Sequence, residues 1–375
     1  MSSPVYIVCG GTGGHLAPGI ATAQRFREKG IAVELVTSEK EIDSRLLKAY
    51  PQILYRKGKG APFGLQPLKL VKFFIKSLVG SVQAFLLLRQ TRPVAVIAFG
   101  GFLSISYVVA AWILRIPVIL HEANRIPGKS IRRLASFADR IFLPEGVILK
   151  GVESSRIRRV DMPLRREIQH IPKSEIREKL RVPLHAKVLT VVGGSQGALV
   201  LNEWVKNNRK SLAAEGIWVF LVTGPGKMDL PEKETLKSDL GSAIEIRTFA
   251  FHNAMHELFS ASDIVVGRAG AGTIAELAYC LTPSILIPYP HAADKHQLAN
   301  ARDLERRGGS IVVGQEDMQT LFREVLDLIY NDWLLARMRT NLKRLIHQDS
   351  AEVIRDYVIG QYMSESVEPT GGQST

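Results

Sequence analysis

The chain has 375 residues, which favours two domains, each with room for a sheet covered by helices on both faces. Only 23% of the residues are charged and 46% are hydrophobic, yet the formal net charge is +13, so we expect a globular protein whose basic surface attracts a negatively charged partner. Of the candidates, the absence of a helix-turn-helix, zinc-finger or aromatic RNA-binding motif argues against nucleic acid, which leaves an anionic membrane and phosphorylated metabolites.

In the first half of the chain, apolar strands alternate with helices. The predicted strands are 5–9, 32–36, 94–98, 117–120 and 140–143, and the predicted helices are 18–29, 68–89, 102–114 and 128–137. Almost wholly apolar strands separated by helices are typical of a parallel sheet buried on both faces. Right-handed crossovers then build a Rossmann-like domain.

An arginine-rich segment with two prolines, 160–172, is the predicted linker, and the alternation begins again after it. The predicted strands are 187–192, 218–223, 244–247, 264–266, 284–287 and 310–313, and the predicted helices are 198–214, 254–260, 272–279, 296–306, 319–330, 333–346 and 351–363. The tail, 364–375, lacks apolar periodicity and is predicted to be disordered.

Both cysteines, Cys9 and Cys280, lie in apolar surroundings, which predicts buried thiols in a reducing compartment rather than a disulfide. The N-terminus enters a strand at once, without a signal-peptide pattern. The longest apolar run, 99–114, contains glycines and serines and ends at Arg115. It is shorter than the roughly 18 to 20 apolar residues of a spanning helix, so any membrane contact is expected to be superficial.

Two glycine-rich turns, GGTGGH at 10–15 and GGSQGA at 193–198, lie where an apolar strand gives way to a helix. Glycines allow a tight turn and a close approach to an oxyanion, and the following helix directs unpaired N–H groups at it. Two such turns predict two Rossmann-like halves that face each other across a cleft. The third glycine position of a dinucleotide fingerprint is Leu16 in the first turn, so a nicotinamide or flavin cofactor is disfavoured.

Polar residues follow several of the predicted strands. His15 at a helix start suits a general base, although local capping explains it equally well. His121, Glu122 and Asn124 follow a buried strand, where open α/β sheets bind ligands. A helix-capping asparagine and a solvated glutamate are the alternative.

In the second half, Ser195 and Gln196 lie inside the glycine turn and are placed to hold a diphosphate. Glu276 lies near a helix start, where it either accepts hydrogen bonds from a ribose diol or simply interacts with the helix dipole. A polar cluster follows one further strand: His291, Asp294, His296 and Gln297. Its spacing matches no zinc site and the chain has no D-x-D pair, so hydrogen bonding to a polar ligand without a metal is the prediction.

Basic and apolar residues interleave along 68–79. Lys69, Lys72 and Lys76 recur at helical spacing beside Phe73 and Phe74. Such a helix can lie in an anionic membrane interface, and an ordinary helix with solvated lysines remains the alternative.

Taken together, these motifs resemble the MurG family, the peptidoglycan glycosyltransferases that add N-acetylglucosamine to lipid I to give lipid II. The motifs are GGTGGH at 10–15, HEAN at 121–124, GGSQGA at 193–198 with Asn202 following, GxTIAE ending at Glu276, and HQLANA at 296–301. They occur in order over nearly the whole chain. The resemblance implies a GT-B fold, α/β with two Rossmann-like domains whose parallel sheets face each other across a deep cleft.

The resemblance also implies a role for each domain, a reaction and a set of partners. Residues 1–164, with a last helix at about 347–363 packing back, would form the acceptor and membrane-facing domain, and 165–346 would bind the UDP-sugar. The reaction would be an inverting transfer to the 4-hydroxyl of the acceptor, without metal or cofactor. The partners would be UDP-N-acetylglucosamine, the undecaprenyl-pyrophosphate-linked acceptor lipid I, the anionic cytoplasmic face of the bacterial inner membrane, and a cell-wall synthesis complex.

The same resemblance assigns individual residues. His15 is the favoured base, with Glu122 a second candidate or its electrostatic support. Glu276 would hold the ribose, Ser195 and Gln196 the phosphates, and the backbone at Ala250 the uracil. The other residues of the donor site would be Thr12, Gly13, Gly14, Asn124, Arg165, Ala271, Gly272, Thr273 and Gln297. Of these, Gln297 and Asn124 would reach the sugar, and Thr12 to Gly14 would also face the acceptor diphosphate.

Two positions depart from the family pattern. The family's GNPVR is DMPLR at 161–165, which affects the expected hinge, and a serine usual before the GAxT motif is Ala269. Other interpretations are a UDP-N-acetylglucosamine 2-epimerase, a glycolipid transferase, an inactive scaffold at the membrane and a nicotinamide dehydrogenase.

Overall fold

The computed structural model describes residues 3–10, 13–59, 67–194, 196–227, 230–346 and 348–363, with backbone alone for 41, 42 and 67–75. The chain divides into two compact units. The first unit comprises Met1–Ala123, Pro127–Arg165 and Gln348–Thr375, and the second comprises Asn124–Ile126 and Arg166–His347. The predicted disordered tail, 364–375, lies outside the described residues.

The first unit is built on seven parallel strands. They are β1 (Val5–Val8), β2 (Val33–Thr37), β3 (Leu54–Lys57), β4 (Ala95–Ala98), β5 (Val118–His121), β6 (Arg140–Leu143) and β7 (Ile157–Arg159). Their order in the sheet is β3-β2-β1-β4-β5-β6-β7. The helices between them are α1 (Gly13–Glu28), α2 (Glu41–Leu47), α3 (Pro67–Thr91), α4 (Phe102–Ile113) and α5 (Lys129–Leu134), with 3₁₀ turns at Ala135–Phe137 and Ser154–Arg156.

Strand β1 explains why these sequences are apolar throughout. Tyr6 and Val8 point into a core that also contains residues of α3, α4 and α5. Val5 and Ile7 point into a second core, on the opposite face, that contains residues of α1. Because successive side chains alternate between the faces of a sheet, a strand covered on both sides needs apolar residues at every position.

The second unit repeats this architecture. Its strands are β8 (Lys187–Val192), β9 (Ile217–Val222), β10 (Lys233–Lys237), β11 (Ala243–Phe249), β12 (Ile264–Gly267), β13 (Ser284–Leu286) and β14 (Ser310–Val312), in the order β10-β11-β9-β8-β12-β13-β14. Its helices are α6 (Lys173–Lys179), α7 (Leu199–Ala214), α8 (Met255–Ala261), α9 (Ala271–Tyr279), α10 (His296–Arg306), α11 (Leu321–Ile329) and α12 (Asp332–Lys343), with 3₁₀ turns at Ala293–Lys295 and Gln315–Thr320.

The last helix, α13 (Ser350–Tyr362), belongs to the first unit. Its buried Ile354 and Val358 join the core that contains α1. At its start, Asp349 accepts hydrogen bonds from the guanidinium of Arg25 at 2.6 and 2.8 Å and from the backbone N–H of Ala351 at 2.9 Å. One aspartate therefore caps α13 and ties it to α1.

The predicted α/β fold with two Rossmann-like parallel sheets is confirmed, and one strand departs from it. β10 pairs antiparallel with β11 at the edge of the second sheet. The sequence analysis missed this strand together with β3, β7, α2 and α6, which are short, contain several charged residues and so lack an apolar run. Cys9 and Cys280 are free and buried, as predicted. No helix among the described residues is long and apolar enough to span a membrane.

Candidate active site

The first glycine turn connects β1 to α1. Gly13 and Gly14 begin the helix and His15 is its third residue, whereas Thr12 lies outside the described residues. A Cβ atom at Gly10 would lie 2.1 Å from the backbone nitrogen of Ser38, so only glycine fits there. The turn thus passes directly against the end of β2.

The half-buried His15 packs against a pair of glycines, Gly100 and Gly101, that follows β4. Gly100 and Gly101 have φ values of +95° and +79°, a region that other residues rarely adopt. A Cβ atom at Gly101 would lie 3.3 Å from Nδ1 of His15, and one at Gly100 would lie 3.5 Å from Nε2. The two glycines therefore leave room for the imidazole at the carboxyl ends of the central strands.

His121 and Glu122, at the end of β5, are both buried. His121 Nε2 donates to the carbonyl of Asp161 at 3.0 Å, and burial lowers the pKa of this histidine to about 4. This neutral, buried imidazole therefore holds the DMPLR segment, 161–165, in place. The carboxylate of Glu122 accepts the backbone N–H of Gly128 at 2.6 Å, which fixes its direction.

Asn124 is two residues from Glu122 but belongs to the second unit. Its Oδ1 accepts from Nδ2 of the buried Asn300 at 3.0 Å. Asn300 Oδ1 in turn accepts the backbone N–H of Arg125 at 2.8 Å, and Arg125 lies 3.4 Å from Asp303. The segment 124–126 is thereby attached to α10.

Arg165 lies in the first unit, where its Nη1 donates to the hydroxyl of Tyr50 at 3.1 Å. Ala250, the expected uracil contact, is exposed directly after β11 in the second unit. Its backbone is therefore accessible to a ligand.

The second glycine turn connects β8 to α7, and Ser195 within it lies outside the described residues. Gln196 is exposed. Gly197 has a φ of +70°, and a Cβ atom on it would lie 2.0 Å from the carbonyl oxygen of Thr223. Nδ2 of the buried Asn202 donates to that same carbonyl at 3.0 Å. This turn is thus packed closely onto the end of β9.

Helix α9 begins without a side-chain cap. Its N-cap, Gly270, offers no side chain, so the first-turn N–H groups of Ala271, Gly272 and Thr273 have no capping acceptor from that residue. Such a helix start is suited to an anion. Glu276 is the half-buried sixth residue of this helix, beyond the first turn, so the helix dipole is a weak reason for its presence.

Gln297, the second residue of α10, has a defined amide orientation. Its Oε1 accepts the backbone N–H of Tyr289 at 2.9 Å. The guanidinium carbon of Arg268 lies over the Tyr289 ring, 5.4 Å from its centroid, and burial lowers the pKa of this arginine. The sequence analysis did not single out Arg268, although an arginine inside the glycine-rich turn at 267–272 was a usable signal.

The cluster after β13 does not resemble a cation site. His291 is exposed and lies edge-on to Tyr289 at 5.6 Å, and Nδ1 of His296 bonds the Ala293 carbonyl at 2.7 Å. Within the described ranges, no group of three or more histidine, cysteine or acidic side chains is arranged to hold a metal ion.

The expected membrane residues Lys69, Lys72, Phe73 and Phe74 lie in α3, within the part whose side chains are not described. Lys76 is partly exposed and lies 3.7 Å from Glu39. Further along α3, three exposed apolar side chains recur every four residues and form one stripe: Leu78, Val82 and Leu86, at 68, 50 and 58% exposure. Sequence periodicity did not identify this apolar stripe.

Comparison with known proteins covers both units. The description "Glycosyltransferase family 28 N-terminal domain" matches residues 5–143, and "Glycosyltransferase family 28 C-terminal domain" matches residues 188–354. The chain is 44% identical to the UDP-N-acetylglucosamine–N-acetylmuramyl-(pentapeptide) pyrophosphoryl-undecaprenol N-acetylglucosamine transferase of Opitutus terrae, over 94% of this chain and 93% of that one. The protein of the same name from Geobacter sulfurreducens is 32% identical over 96% of this chain and 99% of its own length.

Among solved structures, the crystal structure of MurG from Acinetobacter baumannii superposes with a TM-score of 0.71. That alignment covers 96% of this chain and 100% of the other at 23% identity, and at this identity it bears on the fold alone.

Proposed function

The chain belongs to glycosyltransferase family 28, among the N-acetylglucosamine transferases that act on pyrophosphoryl-undecaprenol-linked N-acetylmuramyl pentapeptide, and from that premise we propose how it works. It transfers N-acetylglucosamine from UDP-N-acetylglucosamine to lipid I, forming lipid II for peptidoglycan synthesis. The observation that carries this function is the 44% identity to a transferase of that name, which extends over both units rather than one.

We assign the chemistry of the acceptor to the first unit. An inverting displacement needs a base that removes the proton from the 4-hydroxyl of the acceptor as the hydroxyl attacks the sugar. His15, half-buried at the start of α1, is the proposed base, and the buried Glu122 supports it electrostatically or replaces it. Gly100 and Gly101 leave room for the imidazole at the carboxyl ends of the central strands, which supports this choice.

We assign the donor to the second unit. The starts of α7 and α9, which have no side-chain cap, supply backbone N–H groups for the diphosphate of UDP. Glu276 accepts from the ribose, the Ala250 backbone pairs with uracil, and Gln297 and Asn124 contact the sugar. Because these groups neutralise the leaving diphosphate, the proposed reaction needs no metal ion.

We further propose that α3 contacts an anionic membrane surface, which would bring the enzyme to its lipid-linked acceptor at the cytoplasmic face. The apolar stripe Leu78, Val82 and Leu86 is exposed, and the basic Lys76 precedes it by two residues on the same helix. Apolar burial and attraction to acidic headgroups together favour adsorption of such a helix.

The function is tested by incubating the protein with UDP-N-acetylglucosamine and a lipid I analogue, with and without a chelator. We expect a β-linked disaccharide product and full activity in the chelator. Release of a free sugar epimer would instead indicate a 2-epimerase, and loss of turnover in the chelator would refute the metal-free reaction.

A further inference from the structure

Arg268 is a buried cation with neutral partners. Its side chain is 8% exposed, and in the described part of the chain no carboxylate forms an ion pair with it. The guanidinium donates through Nη1 to the carbonyls of Ile287 and Pro288, at 3.1 and 3.3 Å, and through Nη2 to Oε1 of Gln315 at 2.7 Å. Burying a charge is costly unless the charge is both paired and hydrogen-bonded, and these hydrogen bonds of Arg268 are all to neutral acceptors, so this arrangement calls for a purpose beyond packing.

The partners of Arg268 lead directly to a residue of the proposed donor site. Ile287 and Pro288 immediately precede Tyr289, and the guanidinium also lies over the Tyr289 ring. The backbone N–H of Tyr289 donates to Oε1 of Gln297. Arg268 therefore holds the backbone that determines which way the Gln297 amide faces.

We propose that Arg268 is a positioning residue for recognition of the donor sugar. By holding the segment 287–289, it commits the carbonyl oxygen of the Gln297 amide to Tyr289 and leaves the NH₂ group to donate to an oxygen of the sugar. The inference rests on the proposed function, because it takes Gln297 as a sugar contact. It adds a residue that touches neither the nucleotide nor the sugar itself.

Only arginine fits this task. A planar guanidinium reaches two carbonyls and a side-chain amide on two separate segments, whereas a lysine ammonium on a flexible stem cannot reproduce that fixed set. Arg268→Lys should therefore keep the positive charge without keeping the orientation of the Gln297 amide.

The test is a double-mutant cycle of Arg268→Met and Gln297→Ala, with the Kd of UDP-N-acetylglucosamine and of UDP measured by calorimetry. One lost hydrogen bond corresponds to about a five- to tenfold weaker Kd. We expect each single variant, and Arg268→Lys, to show this loss for the UDP-sugar while the Kd of UDP stays within about twofold. The double variant should be no weaker than either single one, because both changes remove the same contact.

Arg302→Met is the matched control, since Arg302 is exposed on the same helix as Gln297 and pairs with Glu305. Its Kd values should equal those of the unmodified protein. If Arg268→Met does not fold, Arg268→Gln takes its place in the cycle, with the same selective loss expected.

Three outcomes overturn the proposal: binding of UDP that is weakened as much as binding of the UDP-sugar, additive losses of UDP-sugar affinity in the double variant, or an unchanged Kd for the UDP-sugar in Arg268→Met. Failure of the proposed function is seen separately, in the unmodified protein, as the absence of transfer to the lipid I analogue.

Discussion

The sheets of the two units share the order of six consecutive strands and differ in the seventh strand, which is added at opposite edges. The order β3-β2-β1-β4-β5-β6 in the first unit corresponds to β11-β9-β8-β12-β13-β14 in the second. The seventh strand lies beyond β6 in the first unit, as β7, and beyond β11 in the second, as the antiparallel β10. One strand order is thus used twice, with different finishing strands.

The side chains that follow the strands differ far more than the strands do. In the first unit a histidine and a buried glutamate, His15 and Glu122, follow the central strands. In the second unit the strands are followed instead by the guanidinium of Arg268 and the amide of Gln297, whereas helix starts without a side-chain cap occur in both units. We infer that proton transfer is the task of the first edge and anion and sugar binding that of the second.

The sharpest way to break this division is to change one residue on each side. His15→Ala or Glu122→Gln should lower kcat by about 10²- to 10⁴-fold, the usual effect of losing a general base, with the Kd of UDP unchanged. Glu276→Ala should instead raise the KM for UDP-N-acetylglucosamine. Steady-state kinetics and calorimetry on the three variants test this division of tasks. Weaker binding of UDP by His15→Ala or Glu122→Gln would contradict it.

Ion pairs offer a second contrast between the units. Asp263 accepts from Lys173 at 2.7 Å, from Arg177 at 2.9 Å and from the backbone of Val188 at 2.7 Å. Because Arg177 is 2% exposed, Asp263→Asn strands a buried cation and should lower the free energy of unfolding by about 3 to 5 kcal/mol.

The control for Asp263→Asn is Asp349→Asn, in the first unit. This aspartate is partly exposed and its asparagine replacement still caps α13, so a loss of about 1 kcal/mol or less is expected. Urea unfolding of both variants provides the comparison. Equal losses would mean that Arg177 is held adequately by its other acceptors, the carbonyls of Leu184, Ala186 and Ala261.

The pH dependence of stability should carry a contribution from the first unit. His121 has a pKa of about 4 when folded, below its ordinary value near 6.5, so the unfolded chain binds more protons between these two values. Its contribution to stability is therefore lost as the pH falls from 6.5 to 4, by up to about 3 kcal/mol. His121→Gln keeps an N–H donor without a titrating ring, so the free energy of unfolding should vary less between pH 6.5 and pH 4. An unchanged pH dependence in this variant would mean that other groups cause the loss of stability in acid.

Membrane adsorption should be confined to the first unit. Replacing the apolar stripe Leu78, Val82 and Leu86 with serine should weaken binding to acidic vesicles by at least about tenfold, because apolar burial is lost. Neutralising Lys69, Lys72 and Lys76 should chiefly reduce the salt sensitivity of binding. Trp333, 68% exposed in the second unit, supplies the control Trp333→Ser, and a comparable loss there would show that adsorption is not localised to α3.

The sequence was informative wherever burial imposes a pattern. Central strands such as β1 and β9 are apolar at every position, and the glycines at positions 10 and 197 are required by close backbone contacts. Both features leave a visible trace in a single sequence. Edge strands leave none, because β10, with the sequence KETLK, is partly solvated and its pairing depends on a distant neighbour.

The candidate site was predictable as a set of residues but not as a set of contacts. HEAN was recognised as one motif, yet Glu122 and Asn124 belong to different units. Likewise, the link from Arg268 through Tyr289 to Gln297 joins positions up to 29 apart that no local spacing relates. Such tertiary contacts lie beyond what periodicity or motif spacing can reveal.

The short excursion of Asn124–Ile126 into the second unit has a practical consequence for dissecting the molecule. A recombinant fragment that starts at residue 166 would lack Asn124, one of two acceptors for Nδ2 of Asn300, and one that stops at residue 165 would lack α13 and the Arg25–Asp349 pair. No single cut therefore yields two complete halves. Co-expressed pieces should regain full stability only when the cut is placed in an exposed loop inside one unit.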